Sequence, residues 1–390
     1  HKVSLRAQHP DTQPISQGGL HRMGTFEALG AYELLEDIHP ESGYPPARRA
    51  EILWDMGKIA KAEVLFRRAV ERNPSDFRSK FALSELLLSD GQWEEGWALF
   101  EERHSSTEIY KNNNITHISS NSTKWISGAA PHALTIVSEQ GLGDTIQFLC
   151  YVLHPSLNRP EVTFLLPRRL EYIAKVSGVR AQLIFTLVDW MPRADEHWVA
   201  LMSLPMLVGP SPFTPIGAPY LPANPRARGK SQKLGIVWQG NPQHPRDAQR
   251  SVPQALLRQA VSIPGVEVVS LQRPGDAKQP EAEAFRDVLE ALPGLDFLIS
   301  IDSAVAHVAG AAGHPVLLLL CSQPDWRWGR VGDRTAWYDK TLLFRSSEPG
   351  WTNQLNQLNI YLRNFYNEEA RASCGKVGTG FPKKRCKNKS

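Results

Sequence analysis

No apolar run in this sequence approaches the roughly 18 residues that a helix needs to cross a bilayer, which excludes an ordinary helical membrane protein. Cysteine is scarce. Cys150, Cys321, Cys374 and Cys386 form no C-x-x-C pair, and the first two lie in apolar runs that suit buried free thiols. That pattern argues against a zinc site and a disulfide framework, and it makes a reducing, cytoplasmic location the expectation. A basic body is also lacking. The last twenty residues hold seven cations (371, 376, 383, 384, 385, 387 and 389) and no acid, so taking them from the formal net charge of +4 leaves −3 for the rest. General nucleic-acid binding therefore has no support from charge. The stretch from His1 lacks a signal-peptide pattern, and the triplets Asn114-Ile-Thr and Asn121-Ser-Thr would matter only in a secreted protein. A dinucleotide fingerprint is incomplete: Gly141-Leu142-Gly143-Asp144 is followed by Ile146 where a third glycine belongs, and the next strand ends at Pro167 without a ribose-binding acid.

What is present begins with a period. Gly57 recurs as Gly91, Ala62 as Gly96 and Phe66 as Phe100, each 34 residues on, and a fainter copy runs ahead in phase with Ala28, Tyr32 and Pro40 preceding Ala62, Phe66 and Pro74. Small residues let paired helices approach, aromatics fill the gap between them, and each proline stops a second helix. The spacing is that of tetratricopeptide repeats. The last helix, "QWEEGWALFEER", is expected to pack on whatever follows.

After the polar stretch 110–123, short apolar strands alternate with helices: "ALTIVS", a helix over 145–153, "EVTFLLP", a helix near 169–176 and "QLIFTLV". The Pro-rich stretch 218–230 breaks the pattern, which restarts with "KLGIVWQG", a helix over 253–261, "VEVVSLQ", "LDFLISID", a helix over 304–312 and "PVLLLLC". Such alternation predicts parallel sheets covered by helices, hence α + α/β: a short helical array followed by two Rossmann-like α/β halves with a cleft at the carboxyl ends of their strands. The expected divisions are an N-terminal segment 1–22, repeats 23–106, a linker 107–127, a first half 128–222, a second half 223–366 and a basic disordered tail 367–390.

Three strand ends could carry chemistry. At the first, Gly143 permits close backbone approach, and Asp144 reads either as a helix N-cap or as a catalytic carboxylate. At the second, Gly240 and Asn241 end a strand before a loop crowded with His244, Arg246, Asp247 and Arg250. Arg250 beside a helix start suits a phosphate clamp, and a solvated polar loop explains the same residues. At the third, Asp302 and Ser303 precede a helix of small residues with His307 one turn in, either a structural histidine or one facing the cleft.

The array, followed by "EQGLGDTIQF", "LMSLP", "VWQGNPQH" with "RSVP", "DSAVAHVAGAAGHPV" and "PDWRW", resembles tetratricopeptide-repeat proteins with a heptosyltransferase-like carboxyl region (glycosyltransferase family nine) over residues 25–365. The resemblance implies a GT-B architecture and metal-independent, inverting transfer of a hexosyl or heptosyl group from a nucleoside-diphosphate sugar, with no cofactor besides that donor substrate. It implies Asp144 as the acceptor's base and Asp302, Ser303 and His307 on the donor's diphosphate; the strand ends read above add Gly143, Gly240, Asn241 and Arg250 to the expected nucleotide-sugar site. The repeats would hold a protein or peptide partner, so deleting residues 1–106 would spare nucleotide binding. One departure stands out: only about two dozen residues separate "VVSLQ" from "LDFLISID", where relatives have room for another strand and helix. A scaffold protein with an inactive transferase domain is the alternative it raises.

Overall fold

The computed structural model describes residues 25–105, 123–185, 195–208, 217–222, 231–244, 246–272, 280–346, 348 and 350–376. The N-terminal segment 1–22, most of the expected linker, both glycosylation triplets' asparagines and the last fourteen residues of the tail lie outside them. The chain forms two compact units, His1–Leu86 and Leu87–Ser390.

In the first unit, helices α1 (Thr25–Ile38), α2 (Tyr44–Asp55) and α3 (Ile59–Arg72) pack through the positions that carry the period. Ala28, Tyr32, Ala62 and Phe66 are all buried, and Trp54 meets the Phe66 ring edge-on at 6.0 Å. The buried carboxylate of Glu36 on α1 takes hydrogen bonds from Arg49 on α2 at 2.6 Å and from Arg68 and Arg72 on α3 at 2.9 and 2.8 Å. Glycine is required where α2 ends, because Gly57 takes φ of +71°.

Helix α4 (Phe77–Ser89) carries the chain into the second unit, where α5 (Trp93–Phe100) continues as a 3₁₀ turn over Glu101–Ser105. The repeat region therefore does not end as one domain at residue 106. Its last helix belongs to the α/β body, because Trp97 and Arg103 are fully buried in it. Gly91, the repeat partner of Gly57, again has a positive φ, +78°, and Gly96 lies under Leu88, whose side chain a β-carbon would meet at 2.9 Å.

The rest of that unit is two parallel sheets. The first contains β1 (Thr123–Lys124), β2 (Leu134–Val137), β3 (Val162–Leu165), β4 (Gln182–Ile184) and β5 (His197–Ala200) in the order β1-β5-β2-β3-β4, with α6 (Leu142–Val152), α7 (Glu171–Val176) and α8 (Leu204–Val208). The second contains β6 (Lys233–Val237), β7 (Glu267–Ser270), β8 (Phe297–Ile301), β9 (Val316–Leu319) and β10 (Thr341–Phe344) in the order β10-β9-β8-β6-β7. Its helices are α9 (Asp247–Arg250), α10 (Gln254–Ala260), α11 (Arg286–Ala291), α12 (Ala304–Ala311) and α13 (Thr352–Lys376). The helical region followed by two α/β halves matches the expected class. Strands β2, β3 and β9 are buried throughout, as parallel strands covered on both faces must be, which is why they read as apolar runs.

Several boundaries differ from the sequence reading. Residues 123–124, assigned to the linker, pair with β5. Residues 367–376, assigned to the tail, continue α13, whose Leu355, Leu358 and Leu362 pack on the second sheet. The helix expected from 145 starts at Leu142. Beyond β6 the second sheet ends after the single strand β7, among the described residues, in keeping with the short connection noted in the sequence. No helix among the described residues is long and apolar enough to span a membrane.

Candidate functional site

From the first half, the chain leaves β2 at Val137 and turns through Gln140, at φ of +60°, into Gly141, the N-cap of α6. Asp144 caps this helix, though from its third position: Oδ2 accepts the Gly141 N–H at 2.7 Å. The expectation that Asp144 is itself the N-cap is corrected, because the carboxylate reaches back one turn to satisfy an otherwise unpaired amide. The loop is anchored from below by Glu139, which accepts two 2.8 Å bonds from Arg103 and one from the Met202 N–H at 3.0 Å. Arg103 also donates to Glu101 at 2.7 Å and to Ser203 Oγ at 2.8 Å.

From the second half comes α12. Ser303 is its N-cap, accepting the Ala306 N–H at 3.4 Å and lying 3.0 Å from Ser300 Oγ, so its hydroxyl serves the helix start. His307 hydrogen-bonds Tyr338 Oη through Nδ1 at 2.8 Å, stacks on Trp328 with centroids 5.3 Å apart, and has Asp302 Oδ1 3.8 Å from Nε2. The two helix starts touch. A β-carbon on Gly143 would stand 2.9 Å from His307 Cδ2, so glycine is needed there.

Burial, with Arg327 adding, pushes His307 down to about 3, so the ring is neutral at pH 7. Below pH of about 6.5 the unfolded chain binds a proton that the folded chain refuses. The His307 contribution is thus fully present above that pH and is lost as pH falls towards 3. His307→Gln is expected to flatten the fall of unfolding free energy between pH 6.5 and pH 5 by about 1.4 kcal/mol per pH unit, measured by urea titration; parallel slopes would refute it. Asp302 moves oppositely, pushed up to about 6 by burial and by the neighbouring Asp325.

Between the halves stands a residue to which the sequence reading gave no role. Arg327, buried, pairs through Nη2 with Asp144 Oδ1 and through Nη1 with Asp325 Oδ1 at 2.7 Å. Burial pushes the Asp144 carboxyl up from its ordinary range, and the Arg327 guanidinium opposes that rise. For Asp325 burial also acts upward, and there Arg327 outweighs it and holds the carboxyl below its usual value. The signal was an arginine between two tryptophans, with an acid just ahead of them, in "PDWRW".

Arg250 Nε lies 3.2 Å from Asp247 Oδ1, and this pair rests on Gly240, where a β-carbon would come within 2.4 Å of Asp247 Oδ1 and 2.6 Å of Arg250 Nη2. Arg250 and Asp302 line a common cavity of about 50 Å³ with His244, Arg246, Cys321 and Asp325. Asn241 is not brought to it: the side chain is exposed and accepts the Gln243 N–H at 3.1 Å. A larger depression of about 490 Å³, lined by Pro131, His132, Ala133, Asp195 and His197, lies at the amino ends of β2 and β5, away from the strand ends where open α/β sheets bind ligands.

No protein-family model matches the chain. The protein FlbA of Caulobacter vibrioides is 24% identical over 378 residues, covering 81% of this chain and 61% of FlbA, so the chain spans about three fifths of that relative's length. Among solved structures, a family 9 glycosyl transferase from Veillonella parvula aligns with 63% of this chain and 100% of its own at 9% identity and a TM-score of 0.39. A mutant O-GlcNAc transferase from Thermobaculum terrenum aligns with 89% and 90% at 13% identity and a TM-score of 0.24. Likenesses this remote carry no chemistry from those proteins to this chain.

Proposed function

We propose that the α/β body is an inverting, metal-independent glycosyltransferase of GT-B type, taking a hexosyl or heptosyl group from a nucleoside-diphosphate sugar. In this reading the helices ahead of it are tetratricopeptide repeats that hold a protein or peptide. The supporting observation is the meeting of two helix starts at the carboxyl ends of two parallel sheets, with Gly143 against His307 and the Asp144 carboxylate beside Arg327. Inverting transfer asks for a base on the acceptor hydroxyl and cations or free amides on the leaving diphosphate. Asp144 is assigned the first task. Arg250 is assigned the second, with Asp302, Ser303 and the amides of the α12 start beside it and His307 packing behind. Gly143 and Gly240 serve the site by leaving room for His307 and for the Asp247–Arg250 pair, and Asn241 would reach the donor only by leaving its loop contact. Donor charge is met by these groups, so the reading invokes no cofactor.

The test is a screen of nucleoside-diphosphate sugars for thermal stabilisation of the full chain. A ligand at 100 times its Kd adds about 2.7 kcal/mol. Arg250→Ala is expected to weaken binding of the selected nucleotide by about 1.5–3 kcal/mol, the value of a charge-assisted hydrogen bond; unchanged affinity would remove Arg250 from the site.

A second reading, a repeat scaffold with an inactive transferase domain, is favoured by the 50 Å³ cavity, small beside the roughly 300–1,000 Å³ of ordinary ligand pockets, and by the engagement of both Asp144 oxygens. Failure of every labelled nucleoside diphosphate to bind the full chain would select it.

A further inference from the structure

The backbone that carries Arg327 is fixed on both flanks. Trp326 packs edge-on against Trp97 at 5.4 Å and Phe100 at 5.7 Å, and Trp328 stacks on His307 at 5.3 Å. Asp325 accepts the Arg327 N–H at 3.0 Å, and Gly329, which closes the turn, has φ of +67°, a value that favours glycine. The main chain thus has little freedom, whereas the long side chain has several rotatable bonds. Its guanidinium is over-subscribed by acid, since Asp144 and Asp325 bind it directly and Asp302 acts on it through space. Among the described residues its Nε is buried without a hydrogen-bond partner, so the fork still has a donor to give there. Asp302 and Asp325 also line the small cavity that holds Arg250 and Arg246.

We propose that Arg327 is an anion-binding residue exchanged between two partners: Asp144 holds its guanidinium in this structure, and a diphosphate entering beside Arg250 takes it over. The same event then frees the Asp144 carboxylate. Donor therefore binds before acceptor, and the base is uncovered only when a leaving group is in place. The residue and the order of binding deepen the glycosyltransferase reading and rest on it for the ligand's class, a diphosphate. Physically, a guanidinium fork suits phosphate oxygens at least as well as it suits one carboxylate, and a diphosphate brings more charge than Asp144 can offer.

Inorganic pyrophosphate is the probe, titrated calorimetrically into the full chain at low salt. Asp144→Asn removes the competing charge on Nη2, leaving Asp325 on Nη1, and is expected to tighten pyrophosphate binding about tenfold; Arg327→Met is expected to weaken it by about as much. The double variant should match Arg327→Met, since without the guanidinium there is nothing to compete for. An equal gain from Asp144→Asn with and without Arg327 would mean simple loss of a repelling charge and would overturn the exchange, as would no gain at all. Should Arg327→Met not fold, Arg327→Lys replaces it: a point charge without the fork must shrink the Asp144→Asn gain, and an undiminished gain refutes the proposal. Coupled pyrophosphate binding with no preference for any nucleoside diphosphate would sink the nucleotide-sugar reading and leave the exchange standing. Nucleotide binding that is indifferent to both residues would do the reverse.

Discussion

Asp144→Asn is expected to leave the fold standing and to cut sugar transfer by about 10²–10⁴. The amide retains an oxygen for the Gly141 N–H, now bonded at 2.7 Å, so most of a contact worth about 1 kcal/mol survives. Arg327 keeps Asp325 as its partner, so no buried cation is stranded. What the amide cannot do is accept the proton of an attacking hydroxyl. The burial that raises the Asp144 carboxyl also makes it a better proton acceptor once Arg327 has left it. Turnover is measured on the nucleotide-sugar that the stabilisation screen selects, beside a thermal melt of each variant. Equal turnover in a folded variant would reduce Asp144 to a helix cap. Asp144→Ala loses capping and chemistry together, and its extra loss of stability over Asp144→Asn measures the capping share. If the unaltered chain transfers no sugar from any donor, the scaffold reading takes over.

The largest effect on stability is expected from Glu139→Ala, about 3–5 kcal/mol by urea unfolding. Arg103 and Glu139 are fully buried and joined by two 2.8 Å bonds, so removing the acid leaves a guanidinium with Glu101 as its remaining carboxylate in a dry interior. Replacing both by Met and Leu should recover most of the loss, because an apolar pair needs no solvation. A loss under about 1 kcal/mol for the single change would show that water reaches the pair. The same contact corrects the expected effect of truncation. Deleting residues 1–106 takes away Arg103 and the buried Trp97, so that fragment should fail to fold for reasons unrelated to nucleotide binding. The boundary between compact units, after Leu86, falls inside α4, so a cut that keeps Arg103 and Trp97 belongs ahead of that helix.

Much of the architecture was legible because burial constrains residue type locally. Ala62, Phe66 and Phe100 had to be small or aromatic at fixed spacing, and fully covered strands such as β2 and β9 had to be apolar runs. Where local signals were short or mixed, reading failed. Strand β5 is four residues opening with a half-buried histidine, and the last turns of α13, "EEARASCGK", have no apolar stripe in sequence and so passed for tail. The site was legible in part. Gly143 and His307 announced themselves through glycine and small-residue patterns, and they do meet. Arg327 could not be foreseen by spacing, since Asp144 lies 183 residues before it and only the fold brings them together. Asn241 failed for the opposite reason: its side chain found a nearer partner in Gln243.

The tryptophans at the junction give the molecule an optical signature of its own. Trp326 lies 5.4 Å from Trp97 and 6.4 Å from Trp337, and Phe148 touches both of those rings at 5.8 and 5.4 Å. Chromophores this close, held in one chiral arrangement, couple their transitions and give strong near-ultraviolet circular dichroism that vanishes once tertiary packing loosens. Helix content is read in the far ultraviolet and is dominated by other parts of the chain. One spectrometer can therefore follow the junction between the two α/β halves separately from the helices, and any ligand that moves the Trp326-Arg327-Trp328 segment reports itself without a label.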